Sequence, residues 1–198
     1  MLDFSKNYFE LFGLPVGYLV DGAELSQRYR DLQRVTHPAR YAGAGEQERR
    51  LAVQGAALVN EAYQTLKDPM LRARYLLSLH GVDMDVTKET TRDTAFLMEQ
   101  MELREELEEA RQKPDPYEVT NDLMHHIEKS INGQVGKMAV LFETAATPMD
   151  GLVSQEAGSR ERPMEQLEEA REIVRKMQFL QKLHREVEAL EAELDEAI

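Results

Sequence analysis

The sequence predicts an all-α protein of two units: an N-terminal antiparallel helical hairpin with short flanking helices, and a C-terminal antiparallel three-helix bundle. Three observations point there. Gly (11) and Pro (7) are sparse among 198 residues, so few positions break a helix. Apolar residues return at spacings of three and four along stretch after stretch, the period of a helix with one buried face. Capping residues and prolines stand at the ends of those stretches.

Taken in order, Tyr8, Phe9, Leu11 and Phe12 form a short apolar helix that stops at Gly13-Leu14-Pro15. Asp21 is an N-cap with Glu24 placed to complete a capping box, and Leu25, Tyr29 and Leu32 carry the helix to Thr36. His37-Pro38 ends it, because a residue before proline is driven out of the helical region. A loop of small residues follows, from Ala39 to Gly45. The next helix spans about Glu46 to Lys67, with Leu51, Leu58, Ala62, Tyr63 and Leu66 on one side. Asp68-Pro69 restarts the chain as an N-cap followed by proline in the first helical position, and Gly81 closes the apolar run Met70 to Leu79 as a helix C-cap does.

Residues 1–81 thus make one unit, 82–90 a polar linker, and 91–198 the bundle. Its helices are expected at about Thr91–Lys113, Asp115–Ala146 and Pro163–Ala197, with Pro114 and Pro116 at the first turn. The second connection, Thr147 to Arg162, is rich in Gly, Ser and charge and is expected to be mobile. Ile173, Met177, Leu180, Leu183, Val187, Leu190 and Leu194 form the bundle seam, with Phe179 at its border.

A formal net charge of -13 argues against binding duplex nucleic acid, which requires neutralised phosphates. With no cysteine, disulfides and thiolate ligation of zinc or an iron–sulfur cluster are excluded. No run of ~18 apolar residues offers a membrane span. The first residues lack the features of a secretory signal, so a cytoplasmic protein without cofactor or metal is expected.

The segment from Phe96 to Glu109 is the most informative. At about 100° per residue, Phe96, Gln100, Leu103, Leu107 and Ala110 line the core side. Leu97, Met98 and Met101 fall elsewhere, among Glu102, Glu105 and Glu109. Large apolar side chains on an outward, carboxylate-rich face mark a contact for another protein, and methionine adapts to a partner's shape. The alternative is that Leu97 and Met98 pack against the N-terminal unit, in a helix buried on two sides.

The helix from Ala23 to Thr36 reverses the sign of the whole chain. Arg28, Arg30 and Arg34 lie away from its core positions and Arg40 follows in the loop, a basic docking surface for an acidic partner. The opening Tyr-Phe-Glu-Leu-Phe-Gly-Leu-Pro at 8–15, this basic helix, the loop beginning His37-Pro38, and Asn60 to Leu66 followed by Asp68-Pro69 resemble a J domain. Arg72-Ala73-Arg74-Tyr75-Leu76-Leu77-Ser78-Leu79-His80-Gly81 and the run Asp93 to Leu107 are similar to the HscB branch of J-domain co-chaperones.

That resemblance implies a J domain that engages a DnaK-like heat-shock ATPase (HscA type) through Arg28, Arg30, Arg34, His37, Pro38, Ala39 and Arg40. It implies a bundle that carries an iron–sulfur cluster scaffold protein (IscU type) on Leu97, Met98, Met101, Glu102, Glu105, Glu109 and Phe179. It also implies a bacterial type, since eukaryotic members often carry an N-terminal cysteine-rich metal motif. The sequence departs from the family at one point. J domains read His-Pro-Asp in this loop, and here it is His37-Pro38-Ala39. The missing carboxylate removes the acceptor for charge-assisted hydrogen bonds, about twice as strong as neutral ones, so impaired ATPase stimulation is expected.

Three other readings compete. An enzyme would draw on His37, His80, His125, His126 and His184, but adjacent histidines point about 100° apart on a helix and do not readily share a metal. No phosphate-cradling glycine loop or nucleophile motif is present, and no catalytic residue is assigned. A degenerate J protein could act as an adaptor without chaperone activation; Ala39 favours this and the retained arginines oppose it. The third reading keeps the J-domain role and changes the client.

Overall fold

The computed structural model describes residues 2–85, 88–145 and 161–196. Within them the chain is helical: α1 (Tyr8–Phe12), α2 (Gly22–Thr36), a 3₁₀ turn (Pro38–Tyr41), α3 (Glu46–Lys67), α4 (Pro69–Leu79), α5 (Thr94–Ala110), α6 (Pro116–Ala145) and α7 (Glu161–Glu196). The chain divides into two compact units, Met1–Leu79 and His80–Ile198. The expected connector from Thr147 lies outside the described residues up to position 160.

In the first unit α1 carries a complete capping box. The Asn7 side chain accepts from the Glu10 N–H at 3.0 Å and Glu10 returns a carboxylate to the Asn7 N–H, also at 3.0 Å. Only half of the box expected at α2 forms. Asp21 accepts from the N–H groups of Ala23 and Glu24, while the Glu24 carboxylate turns to Arg28 at 2.6 Å. An arginine one turn away offers a carboxylate two N–H donors and a full charge, which outcompetes a backbone amide.

The hairpin of α2 and α3 is locked by aromatic and polar contacts. Tyr29 stacks on Tyr63 with centroids 4.0 Å apart, and its hydroxyl donates to Asn60 at 2.9 Å. Phe9, Tyr18, Leu25, Val59, Ala62, Leu66, Leu76 and Leu77 form the core beneath. The α3–α4 corner contains a buried cation. Arg72 donates to the carbonyl of Leu66 at 2.6 Å, one of the orphan acceptors at a helix end, and lies 4.9 Å from the centre of the Tyr18 ring. Burial lowers the Arg72 pKa and, against the pull of that guanidinium, raises the Tyr18 hydroxyl to about 12.

In the second unit Phe96, Leu103, Leu123, Ile127, Leu180, Leu183 and Val187 make a continuous core shared by α5, α6 and α7. Cross-links fix the directions. Asp93 meets Lys176, Arg104 meets Glu186 and Arg111 meets Glu193, so α5 and α7 run parallel. Tyr117 at the start of α6 donates to Asp195 near the end of α7, so α6 runs against both.

Residues 80–90, expected in part as a linker, fall with the bundle. Met84 and Thr91 are buried, and Glu89 sits between Arg171 (2.5 Å) and Arg175 (3.0 Å) of α7. The Arg171 and Arg175 hydrogen bonds hold the Glu89 carboxyl down at about 2, Arg171 foremost, despite the opposing effect of burial. A polar segment read from composition alone gives no sign of a carboxylate clamped by two arginines eighty residues away.

Candidate docking surfaces

Helix α5 begins with Asp93, whose side chain accepts from the Phe96 N–H at 3.1 Å. From that start the turn of the helix sets every side chain. Phe96, Gln100, Leu103 and Ala110 are buried and Leu107 packs against the core edge. Met98 is 63% exposed and Met101 61%, Leu97 is half-buried, and Glu102, Glu105 and Glu109 are exposed. The Glu109 carboxylate meets Lys113 at 3.4 Å. The two methionines therefore stand in solvent within a fence of carboxylates.

The parallel pairing of α5 and α7 places Phe179 beside this face. Arg104–Glu186 and Arg111–Glu193 share one offset along the two helices. One heptad earlier the same offset aligns Leu97 with Phe179, an apolar rung at the end of an ionic ladder. Phe179 is half-buried and meets Phe96 edge-on, with centroids 6.2 Å apart. It is thus partly a bundle residue and partly a border of the methionine face. Arg104 and Glu186, which help to set this register, were not singled out in the sequence, because their pairing depends on how α5 and α7 pack.

On the first unit, the arginines expected on one surface separate. Arg28 is half-buried; it donates to the carbonyl of Phe12 at 2.9 Å and grips Glu24. Its charge is spent within the chain. Arg30 is exposed and touches Gln27, Arg34 is exposed and loosely paired with Asp31 at 3.4 Å, and Arg40 donates to the Arg34 carbonyl at 3.1 Å. His37, Pro38 and Ala39 are all exposed. The Ala39 N–H reaches the His37 ring at 3.3 Å, and Tyr41 donates to the Val35 carbonyl at 3.2 Å. None of the bonds that shape this turn uses a side chain at position 39, so the turn keeps its form without a carboxylate there.

Among the described residues no group of three or more His, Asp or Glu side chains converges as a metal site. His126 instead meets Glu99 of α5 at 2.9 Å. No helix of the described residues is long and apolar enough to cross a membrane.

Comparison with known proteins settles the family. The chain is 43% identical over 185 residues to a co-chaperone protein HscB homolog of Shewanella amazonensis, covering 93% of this chain and 97% of that one. It belongs to the HscB co-chaperone family. Residues 92–188 match the family model described as the HSCB C-terminal oligomerisation domain. The chaperone HscB from Vibrio cholerae superposes with a TM-score of 0.77 at 38% identity, covering 96% of this chain and 99% of that one. The crystal structure of human co-chaperone protein HscB gives a TM-score of 0.77 at 25% identity, covering 96% and 84%. In this HscB-family chain the all-helical architecture is a J domain followed by a C-terminal three-helix bundle.

Proposed function

We propose that this co-chaperone carries an IscU-type iron–sulfur scaffold protein on the α5 face and delivers it to an HscA-type heat-shock ATPase in the cytoplasm. One observation carries the reading: Met98 and Met101 are largely exposed among Glu102, Glu105 and Glu109, outside the core they would otherwise join. Covering two methionines with a partner removes apolar surface from water at about 25 cal/mol per Å², and the carboxylate fence selects a partner with a basic rim. With no cysteine in the chain, the cluster is cargo on the scaffold and is not held here through sulfur.

The ATPase docks on the J domain (residues 1–81 in the sequence reading) through Arg30, Arg34, Arg40 and the turn at His37-Pro38-Ala39. Arg28 supports that surface by fixing α2 to α1. Because Ala39 presents no carboxylate, docking does not lead to stimulated ATP hydrolysis. The test compares this chain with Ala39→Asp in scaffold capture and in ATP turnover by the ATPase. Equal capture by both, with turnover stimulated only by the aspartate form, is expected. Equal turnover by both would remove residue 39 from the explanation. Undiminished capture by Met98→Ala/Met101→Ala would remove the α5 face.

Ala39 also favours a second reading, an adaptor that no longer meets an ATPase at all. Salt-sensitive binding of the ATPase to this chain supports the first reading, and no binding at low salt supports the adaptor.

A further inference from the structure

The docking face does not stop at the edge of α5. The offset that aligns Leu97 with Phe179 brings Lys182, three residues beyond Phe179 on α7, level with positions 100 and 101 of α5. Residues three apart share a helix face, so Lys182 borders the groove on the side of Leu97 and Met101. Its side chain is 65% exposed, and the carboxylate of Glu186 lies 4.0 Å from it. Glu186 is already held more closely by Arg104, at 3.2 Å. An exposed pair at that distance contributes little, so the ammonium is available to a partner. On α5 the carboxylates Glu102, Glu105 and Glu109 are exposed as well.

We infer that the scaffold-binding surface continues along α7 past Phe179, and that Lys182 orients the bound scaffold by pairing with a carboxylate on it. This rests on the scaffold reading above and deepens it. The face then has two electrical poles, negative along α5 and positive at Lys182 of α7. A scaffold with basic groups opposite α5 and an acidic group opposite α7 satisfies both. Turned end for end, it would set acid against Glu102 and Glu105 and base against Lys182, and like charges so placed reject the wrong orientation. The oily centre supplies affinity without direction; the two poles supply direction.

The test measures binding of an IscU-type scaffold to the full chain, to Lys182→Gln, to Lys182→Glu and to Met98→Ala/Met101→Ala, at low and high salt. Lys182→Glu is expected to weaken binding about tenfold at low salt, mainly through the association rate, and Lys182→Gln about threefold. Both losses shrink at high salt, while the methionine variant stays weak at either. Lys182 is exposed, so the thermal midpoint should not move. If Lys182→Glu binds as tightly as the unmodified chain while the methionine variant fails, the α7 extension is overturned and the α5 site stands. If the methionine variant also binds normally, the scaffold reading itself falls.

Discussion

The guanidinium of Arg28 donates to the carbonyl of Phe12 at 2.9 Å while the Glu24 carboxylate holds its other edge. The last turn of α1 is thereby tied to the first turns of α2. A Cβ at Gly13, where φ is +64°, would stand 2.7 Å from the same guanidinium. Arg28→Ala should therefore destabilise the J domain by about 1–2 kcal/mol, the loss of a charge-assisted bond to a half-buried acceptor. Arg34→Ala, in solvent, should stay within about 0.5 kcal/mol of the parent. Urea unfolding followed by tyrosine fluorescence separates them, because six of the seven tyrosines (all but Tyr117) lie in the first unit. Equal midpoints would show that the latch contributes nothing.

Glu89 gives the bundle an acid sensitivity. Its carboxyl titrates at about 2 in the folded chain against an ordinary 4.5. A pKa lowered by folding stabilises the fold fully above the unfolded value and loses that contribution as pH falls through the folded one. The loss from Glu89 therefore develops between about pH 4.5 and 2. Asp93 acts in the same direction, lowered first by its bond to Lys176 and then by the Phe96 N–H. Glu89→Gln should lower the melting temperature at pH 6 and flatten its decline towards pH 3. A decline as steep as the parent's would show that Glu89 does not drive it.

Phe179 and the two methionines should separate stability from binding. Phe179→Ala removes a ring that packs on the bundle core and meets Phe96 edge-on; a cost of about 2 kcal/mol is expected, below the range for a fully buried phenylalanine. Met98→Ala and Met101→Ala remove exposed side chains and should change stability by less than about 0.5 kcal/mol. All three should weaken scaffold binding. Thermal melts beside binding isotherms give the comparison, and a methionine variant that melts early would place that residue in the core.

A chain that holds the scaffold but does not trigger hydrolysis should act as a competitor. Added to an assay containing the ATPase, limiting scaffold and the Ala39→Asp form, the unmodified chain should reduce ATP turnover in proportion to the scaffold it withdraws. Raising the scaffold concentration should restore the rate. Full turnover at a large excess of the unmodified chain would mean that the two forms do not share the scaffold.

Much of this protein can be read without coordinates, because helix periodicity and end signals are local. Asp68-Pro69 opens α4 with two N–H groups bonded to the Asp68 side chain, and Gly81 adopts the left-handed backbone of a cap. The outward placement of Met98 and Met101 also follows from the helical turn alone. One local reading went astray where a competing partner lay nearby, the Glu24 carboxylate choosing Arg28 over its capping amide, and the complete capping box at Asn7 and Glu10 was not singled out in the sequence.

The sequence by itself determined the seven α-helices of the described residues and which face of α5 points outward, since each depends on neighbours within one or two turns. The tertiary structure alone decided that Arg28 is a latch, that Glu89 is clamped to α7, and that Arg104 and Arg111 pair in register with Glu186 and Glu193. Those relationships join residues up to 86 positions apart, and no local pattern specifies which of several arginines or carboxylates will meet once the helices pack.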